Sequence, residues 1–268
     1  MSHTLRDKLS TVRVFTLDEA VKLADHNQTR RRVRWLLNHY VRAATLGRIR
    51  SSLYYLGPRG QRPPEAVPDR FLVASKLDSR AVLAYHTALE LLGGGYSAWN
   101  EVYALASRRH WHKRERFTFQ GVTYRTVFPS LRLGRHGLKV GIATLERLGQ
   151  QIRVTGRART LVDCMDRLEY AGGLAELLNS VVSWPSVDAR ELIAYLHLLN
   201  RRVLYARAGF VLERFKEQWG VSEDVLEELH RNIPRKTTYL DSTPGRARYI
   251  RRWRLMVPPE WTRSEVAV

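Results

Sequence analysis

Cysteine is almost missing: the 268 residues contain one, Cys164, which excludes an intramolecular disulfide framework. No apolar run approaches the ~20 residues needed to cross a bilayer. No charged-then-apolar leader opens the chain at "MSHTLRDKLSTVRV". These absences predict a cytoplasmic, reducing location and no membrane partner. Also missing are a P-loop, a dinucleotide fingerprint and a serine nucleophile elbow. Neither an internal repeat nor a low-complexity tract is present. Acidic residues are scarce against basic ones, 26 Asp+Glu to 45 Lys+Arg, for a formal net charge of +19.

That imbalance predicts a polyanionic partner, because 44% hydrophobic content marks the chain as folded rather than disordered. The charge lies in three blocks. Residues 1–64 carry 13 basic and 4 acidic side chains, 108–159 carry 13 and 2, and 231–268 carry 9 and 3. Such clustering is a footprint pattern rather than a uniformly cationic surface.

The first block contains an ordered set of local signals. In "TLDEAVKLAD", Thr16 stands three residues before Glu19, the capping-box spacing, and Leu17, Ala20, Val21, Leu23 and Ala24 repeat at helical period. A break at "HNQ" follows. From Thr29 to about Tyr40, Val33, Leu36, Leu37 and Tyr40 make an apolar stripe, leaving Arg30, Arg31, Arg34 and Asn38 mainly on other faces. "TLGRI" and "LYYLG" then read as strands around Arg50, Ser51 and Ser52. Helix, break, helix and basic hairpin is the order of a winged helix-turn-helix, whose recognition helix enters the major groove. Arg30, Arg31 and Arg34 suit phosphates and guanine edges, and Asn38 suits adenine or the backbone. Arg48 and Arg50 would flank the duplex from the wing, with Ser51 and Ser52 donating to phosphate. A solvated arginine face is the competing reading of that helix alone.

The predicted organisation is α+β: a winged helix-turn-helix over 1–58, a proline-rich linker over 59–69, and a larger mixed α/β domain over 70–268 that ends in a helical bundle. In the last of these, "SRAVLAYHTALELLGGG" reads as a helix capped by Ser79, and "RERFTFQGVTYRTVFP" as a hairpin turning at Gln120 and Gly121. "QQIRVTG" reads as a strand. "RARTLVDCMDRL", "GGLAELLNSVV", "DARELIAYLHLL", "RRVLYARAGFVLERFKEQWG" and "SEDVLEELHRN" read as helices.

With those motifs in view, the chain resembles the AbiEi-type antitoxins of type IV toxin–antitoxin systems, which are also transcriptional regulators. The resemblance rests on "FTLDEAVKLA", "GRIRSSLYYLG", "DRFLVASKLDSRAVLAYHTALELLG", "IRVTGRARTLVDCMDRLEYAGGL" and "ARAGFVLERF". It implies a domain that binds inverted repeats of double-stranded DNA in its own promoter. It also implies a second domain that counters a nucleotidyltransferase-type toxin without a stable complex. Residue by residue, it puts the DNA-reading role on Thr29, Arg30, Arg31 and Arg34, with Arg48 and Arg50 in the wing. "PRGQRPP" and "GRARYIRRWRL" depart from it in being unusually basic.

Two other function classes have carriers. An RNA- or protein-binding module that inhibits a toxin directly would use Arg108, Arg109, Lys113, Arg114 and Arg116, interleaved with Trp111, Phe117, Phe119, Tyr124 and Phe128. Alternation in "RFTFQGVTYRTV" favours a buried sheet face for those aromatics, leaving the cations as accessory nucleic-acid contacts. A metal-dependent nuclease would use Asp163, Asp166 and Glu169, which a continuous helix would place on one face. Arg157, Arg159 and Arg167 are the expected partners of these acids, and Glu213 with Lys216 reads as a surface pair. His110 and His112 lack further ligands at metal spacing, and Cys164 reads as a core residue. The expectation is therefore a non-enzymatic chain with no cofactor and no metal.

Overall fold

The computed structural model describes residues 5–9, 12–57, 62, 63, 65–107, 116–241 and 246–262. The fold is mixed α+β and divides into two compact units. One comprises Met1–Leu83, Asn100–Phe128 and Thr144–Val154; the other comprises Ala84–Trp99, Pro129–Ala143 and Thr155–Val268.

The first unit opens with α1 (Leu5–Leu9), β1 (Val14–Thr16), α2 (Leu17–Leu23), α3 (Arg30–Arg42), β2 (Gly47–Arg50) and β3 (Leu53–Tyr55). Thr16 ends β1 and starts α2. Its hydroxyl oxygen accepts from the Glu19 amide at 3.2 Å, and the Glu19 carboxylate accepts from the Thr16 amide at 2.8 Å. Phe15, Leu17, Ala20, Val33, Leu37, Leu46 and Tyr54 close one core with Leu5 and Leu9. Burying that stripe is what holds short helices that would be marginal alone. The three strands pair in the order β1-β3-β2. Gly47 faces Tyr55 across β2 and β3, and a Cβ there would lie 1.9 Å from the tyrosine ring, so only glycine lets that ring lie flat on the wing.

The same unit holds a six-stranded sheet of order β6-β7-β5-β4-β9-β8. Its strands are β4 (Val82–Leu83), β5 (Glu101–Leu105), β6 (Arg116–Phe119), β7 (Val122–Val127), β8 (Ile142–Arg147) and β9 (Gln150–Thr155), with α4 (Arg70–Ser75) packed on β4 and β5. β6 and β7 form the expected hairpin, turning through Gln120 and Gly121 at φ 45° and 79°. The helix expected from Ser79 is not formed. Ala81 to Ala84 are buried, with Val82 and Leu83 in a strand between β5 and β9, and the helix begins only at His86. A short apolar run buried on both faces has no period that separates strand from helix. Gln150 joins this sheet to the winged helix: its amide oxygen accepts from Arg13 and Val14 at 3.0 and 3.2 Å, and its nitrogen donates to the Val14 carbonyl at 3.1 Å.

The second unit is helical: α5 (His86–Leu91), α6 (Arg157–Asp166), α7 (Leu174–Val181), α8 (Ala189–Leu199), α9 (Arg202–Arg214), α10 (Lys216–Trp219) and α11 (Glu223–Arg231). α6 is central, touching α5, α7, α8 and α9, and its Cys164 is fully buried. To these helices the chain adds a three-stranded sheet the sequence did not announce: β10 (Thr238–Tyr239), β11 (Arg248–Ile250) and β12 (Leu255–Val257) in the order β10-β12-β11. Within this unit His86 is fully buried between two carboxylates. Its Nδ1 lies 3.1 Å from Glu90 and its Nε2 lies 2.9 Å from Glu176.

Among the described residues no helix is long and apolar enough to cross a membrane.

Candidate nucleic-acid interface

α3 is the longest helix of the winged-helix module, and its two faces differ sharply. Val33 and Leu37 are buried, while Arg30, Arg31, Arg32, Arg34, Trp35, His39 and Arg42 are exposed. Thr29 caps it, its hydroxyl oxygen accepting from the Arg32 amide at 3.2 Å. The hydroxyl proton stays available to a phosphate beside the free amides of the first turn.

The arginines of this helix are not equivalent. At ~100° per residue, the line directly opposite Val33 runs through Arg31, Trp35, Asn38 and Arg42. Arg32 and Arg34 flank it on opposite sides. Arg30 lies further round and is ion-paired with Asp18 of α2. The Arg32 guanidinium sits over the Trp35 ring, 4.4 Å from its centroid, and His39 stacks on Trp35 at 5.9 Å with only 10° between planes. An indole 54% exposed thus contacts a guanidinium and an imidazole on the outward face. Trp35, His39 and Arg42 were missed in the sequence, and Arg32, whose phase in the sequence reads as nearer the flank than Arg34, stands no further from the outward line than Arg34 does. The signal was there in the spacing 31, 35, 38, 42, opposite the apolar stripe.

The wing is short, a two-residue turn of Ser51 and Ser52 with Ser52 at φ 62°. Arg48 is exposed, hydrogen-bonds Asn38 of α3 and lies over Tyr54 at 5.7 Å. These two residues belong to the same surface as α3. Arg50 is placed differently: its guanidinium lies over Phe117 of β6 at 5.1 Å, and with Ser51 and Ser52 it lines a cavity of about 450 Å³ within this unit. Exposed Ser51 marks the tip of the turn.

Of the accessory residues, Arg108, Arg109, Lys113 and Arg114, together with Trp111, His110 and His112, lie outside the described residues. Arg116 is exposed on β6 and pairs with Glu101 at 3.3 Å. The interleaved aromatics pack on the sheet: Phe117 stacks on Tyr124 at 4.9 Å, and Phe119 meets Tyr55 edge-on at 5.9 Å. Burial pushes the Tyr124 and Tyr55 hydroxyls above their ordinary range.

The acidic residues weighed for a nuclease are dispersed by the fold. α6 stops at Asp166, so Glu169 leaves the helix face. Asp163 accepts from Arg159 at 3.0 Å and from the Tyr195 hydroxyl at 2.6 Å. Asp166 pairs with Arg201 rather than with Arg157 or Arg167, and burial holds its carboxyl above the usual range despite Arg201 and Arg167. Glu213 pairs with Arg252 and Lys216 with Glu223, in place of the helical pair expected between them. Among the described residues no three His, Cys, Asp or Glu converge as metal ligands.

Neither a protein-family model nor a curated protein matches the chain. Its fold is nonetheless one seen before. The crystal structure of the RV2827C protein from Mycobacterium tuberculosis superposes with a TM-score of 0.57, covering 94% of this chain and 88% of that one at 15% identity. At that identity the likeness is one of fold, and it extends through both units rather than the winged helix alone.

Proposed function

We propose that the chain is a sequence-specific double-stranded DNA-binding protein that represses its own operon and serves as the antitoxin of a type IV toxin–antitoxin system. The observation that carries the DNA-binding part is the outward face of α3. Arg31, Arg34, Trp35 and Arg42 are exposed on a helix whose opposite face is locked into the winged-helix core. A recognition helix needs that combination of a rigid seat and free cationic groups. The antitoxin part is supported by the motif resemblance and by a fold shared across the chain's length, and its partner would be a nucleotidyltransferase-type toxin. The reading is of a binding protein rather than an enzyme, since the acids nearest to a catalytic arrangement are engaged by arginines and a tyrosine.

Gel shifts on the gene's upstream region at stated salt test the DNA reading. Replacing Arg31 and Arg34 together by alanine should cost about 2–4 kcal/mol of binding, and affinity should fall steeply with salt in the parent. An unchanged affinity in that variant would remove α3 as the reading element. Coexpression with the neighbouring toxin tests the second part: growth rescue without copurification is the expected result, and a stable complex would favour direct inhibition instead.

A further inference from the structure

The small sheet of the second unit carries a feature unconnected with the winged helix. Tyr239 of β10 and Tyr249 of β11 are both in register with Met256 of β12, the strand between them. Residues paired across neighbouring strands project to the same face, so the three form one row, Tyr–Met–Tyr. The tyrosines are 55% and 51% exposed, while Leu255 and Val257, one residue to either side of Met256, are fully buried on the opposite face. The sheet therefore turns its two rings outward. Among the described residues neither ring has a stacking or hydrogen-bonding partner.

The row is also held rigidly. The Trp253 ring packs on Gly209 of α9, where a Cβ would come within 2.1 Å of it, and its indole nitrogen donates to Glu213 at 2.6 Å. Arg252 is pinned by Glu213, Glu223 and Glu227, and Arg207 donates to the Tyr239 carbonyl at 3.0 Å. Around this platform Arg235, Lys236, Arg246, Arg248 and Arg251 are exposed, and none has an ion pair among the described residues. Asp241 and Glu260 are the neighbouring acids in the chain segment.

We propose that this face binds single-stranded RNA, with unpaired bases stacking on Tyr239 and Tyr249 across Met256 and the surrounding arginines and lysine taking the phosphates. Rings two strands apart stand about 10 Å from each other, with an apolar floor between them. Exposed aromatics on a sheet within a cationic field form the arrangement that captures splayed bases. A duplex, whose bases are already stacked, would leave the rings without partners. The phenolic hydroxyls supply hydrogen-bonding groups to the ribose 2′-OH, which favours RNA over DNA.

The test uses the full chain carrying Arg31→Ala and Arg34→Ala, so that the α3 surface does not contribute, and a fluorescein-labelled single-stranded RNA of about 12 nucleotides read by anisotropy. Tyr239→Ala and Tyr249→Ala should each weaken binding by about tenfold or more. Tyr→Phe at the same positions should keep most of the affinity and narrow the preference for RNA over DNA of the same sequence. Full affinity in both alanine variants would reduce the interaction to charge and overturn the platform. Equal binding of the parent to RNA and single-stranded DNA would overturn the assignment to RNA. Self-association that is lost in the alanine variants while RNA affinity is unchanged would give the face to a second copy and overturn it as well. Operator binding by α3 can fail without touching any of these outcomes.

Discussion

Replacing Glu176 by glutamine tests the buried polar centre of the second unit with almost no change of shape. One carboxylate oxygen of Glu176 lies 2.9 Å from His86 Nε2, 3.1 Å from the Ser97 amide and 3.3 Å from the Ser180 hydroxyl, and the other accepts from the Ser97 hydroxyl at 2.8 Å. Glu90 faces the other imidazole nitrogen at 3.1 Å, so both ring nitrogens are engaged by carboxylates. Trp99 stacks on that ring at 5.0 Å and closes the site. Glutamine can keep the oxygen that faces three donors, but it removes the charge beside His86. A hydrogen bond to a charged group contributes roughly 1.5–3 kcal/mol, so the variant should lose about 2 kcal/mol. Alanine, which takes the acceptor from buried His86 and Ser180 and opens a cavity, should lose about 3–5 kcal/mol.

The pH response gives a second, independent reading. Burial by itself would raise the Glu176 carboxyl, yet hydrogen bonds from His86 and Ser97 outweigh it and hold the group below its usual 4.5. A depressed carboxylate contributes stability above its unfolded value and loses it as pH falls through the folded one. The wild type should therefore show an acid destabilisation beginning below about pH 4.5 that Glu176→Gln lacks. Urea unfolding at pH 7 and pH 4 measures both effects. With a slope of about 3 kcal/mol/M the midpoint at pH 7 should drop by roughly 0.7 M. Coincident midpoints at pH 7, or the same acid slope in both proteins, would refute the account.

Gly209→Ala should lower the melting temperature by a few degrees. The helix gains about 1 kcal/mol of propensity, but the new methyl collides with Trp253 at 2.1 Å, and overpacking of that kind costs about 1–3 kcal/mol; calorimetry showing a stabilised variant would contradict the packing. Cys164 is fully buried, and burial, reinforced by Asp163, pushes its thiol well above the ordinary range. Ellman's reagent should leave the native protein unlabelled and react with one equivalent only in denaturant, whereas rapid native labelling would place the thiol elsewhere.

What the sequence made legible was local. Thr16 and Glu19 are three residues apart, and Gln120–Gly121 turns a hairpin by its own backbone preference, so each could be read without knowing the rest of the chain. The strands around Val14, Val82 and Val102 were not legible, because they are short and exist only through partners far away: Val14 pairs with Tyr55, and Leu83 with Val154. Asp166 finds Arg201, and His86 finds Glu176, for the same reason. The Tyr–Met–Tyr row depends on the register of three strands from separate segments, which periodicity does not specify.

Charge shows the same limit from another side. Block counting gave residues 108–159 the largest excess, yet Arg159 is only 1% exposed and spends its guanidinium on Asp163 and the carbonyls of Val140 and Gly137. Arg207 likewise donates to the carbonyls of Met165 and Tyr239. Such arginines add to the formal +19 while committing donors to the chain's own carbonyls and carboxylates. By contrast Arg31, Arg34 and Arg42 on α3 and Arg235, Lys236, Arg246, Arg248 and Arg251 around the C-terminal sheet are exposed. Salt dependence of binding should accordingly follow substitutions at Arg31 or Arg251 rather than at Arg159, whose loss would be felt as unfolding.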